Sequence, residues 1–124
     1  MLLWDDGKSK VEAAHIQTAC DTIVIKFLIT TGKFSGRHTF FVQSTQINKY
    51  INTLKGMYSD LTGEIDIRDN ESDSYIALVQ NGDEWLLTGQ LGRSWEHNIM
   101  MFRILVDQTA IQLLLDFLKN IEAE

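Results

Sequence analysis

Three acids at alternate positions, Asp69, Glu71 and Asp73, are the first residues whose types and spacing suggest chemistry. Oxygen ligands so spaced open a calcium-binding loop. The pattern then fails. Its sixth position is Ser74, where the sharp turn needs glycine, and its twelfth is Gln80, where a bidentate glutamate closes the shell. His15, His38 and His97 stand at no zinc spacing with one another or with Cys20. Ser94, Glu96 and His97 are hydrolytic residue types. Yet Gly92-Arg93-Ser94-Trp95-Glu96 is only half of a nucleophile elbow, which needs glycine on both sides of the serine. The segment 89–92 lacks the Lys-Ser/Thr and following helix of a phosphate loop. Nothing fixes a histidine beside Cys20, and a lone cysteine is ordinarily a small buried hydrophobe. These residues predict no catalytic group, no metal ligand set and no cofactor.

Charge is more informative. Residues 1–55 hold seven Lys/Arg against four Asp/Glu, while residues 56–124 hold four against thirteen. Within residues 60–84 stand Asp60, Glu64, Asp66, Asp69, Glu71, Asp73, Asp83 and Glu84, with Arg68 as the sole base. Such a zone repels phosphate, which disfavours nucleic acid, and attracts a basic protein partner. An acidic stretch also keeps a chain soluble with no further role. Trp95 falls in an expected loop beside Arg93, and an exposed aromatic next to an arginine suits a binding anchor. The alternative is that it folds back over an open sheet end. Glu64, Asp66, Asp69, Glu71, Asp73 and Trp95 are therefore the expected partner-binding residues.

The elements that position them follow from periodicity. Residues 1–4 and 10–15 are short strand candidates. Ile23, Ile25, Phe27 and Ile29 alternate with polar residues as a half-buried antiparallel strand. After a loop at residues 32–36 the chain returns over residues 37–43. Ser44 or Thr45 is the expected cap of a helix with the stripe Ile47, Tyr50, Ile51, Leu54 and Tyr58, which Gly56 loosens or ends. Glu64-Ile65-Asp66-Ile67-Arg68 alternates strictly, as an edge strand guarded by its charges. Asn81-Gly82 predicts a type I′ hairpin between strands 74–80 and 84–91. Residues 99–106 are apolar on both faces except Arg103, which predicts a central strand covered on both sides. Asp107 is an N-cap, and Ile111, Leu114, Leu115, Leu118 and Ile121 form one broad helical stripe. Trp4 and Trp85, in apolar strands, are expected in the core. The order strands, helix, strands, helix gives α+β: one curved antiparallel sheet, or two packed as a roll, of about seven to eight strands closed by two helices. The 124 residues carry no proline and no linker, so a single domain over 1–124 is expected. With one cysteine, no signal-peptide pattern and no apolar run of about 20 residues, the expected address is the cytoplasm, away from a membrane.

One resemblance adds to this. Tyr50 and Leu54, Leu61 with Gly63, Ser74, Ile76 and Leu78, Leu87, Gly89, Leu91 and Gly92, then Phe102 and Asp107-Gln108-Thr109 before Leu114 and Leu118 are the residues that carry it. Over about residues 47–121 the chain resembles bacterial immunity proteins to wall-associated, contact-dependent toxins. Ala110-Ile111 replaces a more typical aromatic and leucine, and the first 45 residues match no motif. The resemblance implies an α+β protein that neutralises a toxin domain by contact, without catalysis. Two functions are thus in view: a non-catalytic protein-protein interaction module that occludes a basic toxin domain, or a small ligand-binding or enzyme-like curved-sheet domain with an internal pocket.

Overall fold

The computed structural model of the chain describes residues 1–123. Eight strands and two helices make an α+β fold: β1 Leu2–Asp5, β2 Ser9–Ala19, β3 Thr22–Thr31, β4 Phe34–Gln43, α1 Ser44–Asp60, β5 Glu64–Arg68, β6 Tyr75–Asn81, β7 Glu84–Leu91, β8 Met100–Val106 and α2 Thr109–Ala123. The strands form two sheets rather than one. The first has the order β1-β2-β3-β4 and the second β5-β6-β7-β8, with every pairing antiparallel. The sheet breaks where α1 intervenes. Each half is a meander of hairpins, because connections of a few residues return a strand beside its predecessor.

One core joins both sheets and both helices. Phe27, Phe40 and Ile25 from the first sheet meet Ile67, Leu78 and Ile104 from the second. From α1 come Ile47, Ile51, Leu54 and Met57, so Met57 takes the place expected of Tyr58, which is exposed. The α2 stripe Ile111, Leu114, Leu115, Leu118 and Ile121 is buried throughout, widened by Ala110 and Phe117. Trp85 is buried, whereas Trp4 only packs against the core from its rim. The interior retains a void of about 10 Å³ beside Phe27, Leu78 and Leu114, far below the several hundred Å³ of a small-molecule pocket.

Local signals account for most element ends. Asp107 caps α2, accepting the Thr109 N–H at 2.8 Å. The start of α1 differs from expectation: its N-cap is Gln43 without a side-chain bond, and the Ser44 N–H donates instead to the Asp21 carbonyl at 2.7 Å. Nor does Gly56 end this helix; Leu61 does, in a left-handed conformation at φ 54°. The β3–β4 connection is a two-residue turn at Gly32-Lys33, so β4 starts at Phe34 and no five-residue loop forms. Similarly the β6–β7 turn is Gly82-Asp83, one residue later than expected. Only Gly82 there has positive φ, the pattern of a type II′ turn. Cys20 is not a buried hydrophobe. It is exposed at the tip of the β2–β3 hairpin, at φ 55°.

The largest departure is β8. Expected in the centre of a sheet, it lies at an edge, and only Phe102, Ile104 and Val106 are buried. Met101 and Leu105 face solvent at 67% and 51% exposure. Two apolar faces looked like two covered faces, but among the described residues no helix covers the outer one.

Candidate functional site

The outer face of the second sheet is built from strand register alone. Ile65, Leu78, Leu87 and Ile104 align across the sheet and point into the core. The alternate positions must point out. One outward row runs Glu64, Val79, Leu86, Leu105; the next Asp66, Ala77, Thr88, Arg103; the third Arg68, Tyr75, Gln90, Met101. The acidic edge strand and the apolar edge strand are thus two sides of one face. Arg68 binds Asp66 at 2.7 Å and lies 5.5 Å from the centre of the Tyr75 ring. At Gly89 the neighbouring backbone comes close. A Cβ there would meet the Tyr75 carbonyl at 2.2 Å and the Phe102 ring at 2.9 Å.

Asp69 does not join this face. It is buried, and its carboxylate accepts the Phe41 N–H at 2.9 Å, the Glu71 N–H at 3.1 Å and the Ser72 hydroxyl at 2.6 Å, with His38 Nε2 at 3.1 Å. Burial pushes its pKa up, but the bonds from Phe41, Ser72, Glu71 and His38 outweigh this and hold it below the ordinary value. The Asn70 N–H adds a bond to the Phe41 carbonyl at 2.9 Å. Asp69 therefore latches the β5–β6 loop of the second sheet to β4 of the first. Asp69, expected as an exposed partner-binding acid, is instead buried with its carboxylate held by these donors.

His38, Asp69 and Ser72 are the residue types of a hydrolytic triad, brought together across 34 residues of sequence. Their arrangement differs from one. Ser72 Oγ and His38 Nε2 both meet the same oxygen, Asp69 Oδ2, and the serine donates its proton to that carboxylate. A triad needs the acid on the imidazole nitrogen opposite the one that activates the hydroxyl.

The other expected residues separate into two groups. Glu64 and Asp66 lie exposed on the face itself. At its end Asp73 holds the segment that carries Trp95. Asp73 Oδ1 accepts the Ser94 N–H and the Gln90 side-chain amide, both at 3.0 Å, and the Ser94 bonds hold the carboxyl below its ordinary pKa. Ser74 Oγ and Gln90 Nε2 bond the Gly92 carbonyl at 2.6 and 3.2 Å. Beyond this pinned segment, Arg93 and Glu96 pair at 3.2 Å across Trp95, which is 66% exposed. Glu71 stands apart, lining an open polar cleft of about 460 Å³ between the sheets with Lys26, Arg37 and Arg93. The outward residues Val79, Leu86, Met101 and Leu105 escaped sequence reasoning. Arg103 was the available signal, since a single charge within an apolar strand marks the side that meets water. Among the described residues no three His, Cys, Asp or Glu side chains are grouped to hold a metal ion, and no helix is long and apolar enough to cross a membrane.

Fold and face together define a two-sheet α+β protein whose second sheet presents a mixed apolar and acidic outer surface. The chain belongs to the WapI-like immunity protein family, whose model matches residues 6–124. No curated protein matches it in sequence. A structure described as crystal structures of Trypanosoma brucei MRP1/MRP2 is similar in fold, with a TM-score of 0.55 at 12% identity over 97% of this chain and 79% of that one. At that identity the likeness concerns the fold alone.

Proposed function

We propose that this protein neutralises a toxin domain by contact, covering a basic surface of the toxin with the outer face and rim of its second sheet. Family membership supports a toxin partner. One observation supports the face: register brings the acids Glu64 and Asp66 onto the same surface as Val79, Leu86 and Leu105. Exposed apolar surface flanked by charge is the anatomy of a protein interface. Glu64, Asp66, Glu71 and Asp73 would pair with Lys/Arg that the toxin uses elsewhere, and would steer association at long range. Exposed ion pairs contribute little each, so affinity rests on apolar anchors, Trp95 first. The action is occlusion without catalysis, in the cytoplasm of the protected cell.

The test is a binding titration against the purified cognate toxin domain at two salt concentrations. Reversing Glu64, Asp66, Glu71 and Asp73 to lysine slows association and flattens its salt dependence, while Trp95→Ala mainly speeds dissociation. A charge-reversed protein that associates as fast as the parent at low salt would refute the assignment.

A further inference from the structure

Of the four edge strands, β1, β4 and β5 each pack on a helix, whereas β8 makes no outward hydrogen bond among the described residues. The edge strand β1 packs on α2. On β4, the edge groups of Phe41 are taken by Asp69 and Asn70. The Arg68 N–H of β5 donates to the Tyr50 hydroxyl at 3.3 Å. β8 pairs with β7 alone. The Thr88 hydroxyl donates to the Phe102 carbonyl at 3.0 Å, which places that carbonyl on the β7 side. By strand alternation the N–H and C=O groups of Met101, Arg103 and Leu105 then point away from the sheet, unpaired. The same three side chains are exposed. At the head of the strand a groove of about 390 Å³ opens between Phe34, itself 73% exposed, and Ile99, Met100 and Met101.

An open apolar edge is a template for another strand. Arg103 decides which kind. It makes no ion pair among the described residues, and it sits midway between Met101 and Leu105 on the outward side. We infer that β8 receives an extended segment of the toxin as a fifth strand of the second sheet, with an acidic residue opposite Arg103 and apolar residues beside Met101 and Leu105. This rests on the contact reading above and adds its mode. A second copy of the chain fits less well. Antiparallel self-pairing about a two-fold axis at Arg103 sets one guanidinium directly against another, where like charges destabilise the pair. An acid in the incoming strand removes that repulsion and gives Arg103 a partner. The groove beside Phe34 would take one of the apolar side chains.

The experiment is amide hydrogen exchange on the full chain, free and bound to the cognate toxin domain, with light scattering of the free protein. The amides of Met101, Arg103 and Leu105 exchange freely in the unbound monomer and slow by about tenfold or more in the complex. Arg103→Glu, an exposed change that leaves the core intact, weakens binding by about tenfold, with unfolding unchanged. If those three amides exchange as fast in the complex as in the free chain, strand addition is wrong. If they are already protected in a free dimer, the edge belongs to a second copy and the inference fails. The contact reading is judged separately, by the association rate of the charge-reversed protein.

Discussion

Replacing Asp69 with asparagine tests whether the two sheets are latched as described. The substitution preserves volume but removes the charge and puts an amide nitrogen where one carboxylate oxygen stood. With Oδ1 retained, the Phe41 and Glu71 N–H groups keep an acceptor, though a neutral one. At the Oδ2 position, the Ser72 hydroxyl and His38 Nε2 lose their shared acceptor. A hydrogen bond to a charged group contributes about 1.5–3 kcal/mol, and an abandoned buried partner costs more than a replaced one. Two lost bonds, with the hydroxyl free to turn to water, set the loss at about 3 kcal/mol. For a chain of this length that is a fall in Tm of about 10 °C. Urea unfolding followed by tryptophan fluorescence measures it. The pH dependence gives a second reading. The folded pKa of Asp69 is depressed, so its contribution is present above the unfolded carboxylate value and is lost as pH falls through the folded one. Below about pH 4 the parent should therefore lose its advantage over Asp69→Asn progressively. A variant within about 0.5 kcal/mol of the parent at neutral pH would refute the latch.

Three further outcomes test the fold. Gly89→Ala should destabilise by about 2 kcal/mol or more, because the added methyl collides with backbone at Tyr75 as well as with the Phe102 ring; an unchanged unfolding midpoint would mean that β6 and β7 are not so close. Leu115→Ala should cost about 2–5 kcal/mol in the same assay, as a buried α2 side chain within the shared core. Cys20→Gly should stabilise by about 0.5–1 kcal/mol, since a left-handed conformation costs a non-glycine residue about 1–2 kcal/mol and glycine gives back part of that gain as chain entropy.

What could be read from the chain depended on whether the cause was local. The spacing of Ile111, Leu114, Leu115, Leu118 and Ile121 is a property of one helix, and Asp107 caps it four residues before its first stripe position. Both therefore survive into the structure. The strict alternation of residues 64–68 likewise places Glu64 and Asp66 outside and the isoleucines inside. Asp69 was misjudged because its partners are distant: His38 and Phe41 lie about thirty residues away, and an acid reads the same in sequence whether water or four donors surround it. The choice between one curved sheet and two packed sheets was open for the same reason. Each hairpin is local, but whether β4 pairs with β5 is decided by where α1 sets the chain down. For β8, Met101 and Leu105 look like core residues until Arg103 is given weight as the marker of their face. Cys20 and Leu61 hold positive φ without being glycine, so no residue type announced the turn at either.

Asp73 combines two roles, and separating them tests how Trp95 works. As a charge it belongs to the acidic rim. As an acceptor it pins the Ser94 N–H and the Gln90 amide, fixing the loop that carries Trp95. Holding a bulky side chain in place before binding spares about 0.5–1.5 kcal/mol of ordering entropy, a factor of about two to ten in affinity. Asp73→Asn removes the charge but retains an oxygen able to accept both bonds; Asp73→Ala removes both. If the residue acts only through charge, the two variants slow toxin association equally and dissociate alike. If pinning matters, Asp73→Ala alone also dissociates faster, by about two- to tenfold. Adding Trp95→Ala should then abolish the difference between them, because a loop with no anchor gains nothing from being held. A difference that persists without Trp95 would show that the pinned loop serves some other contact.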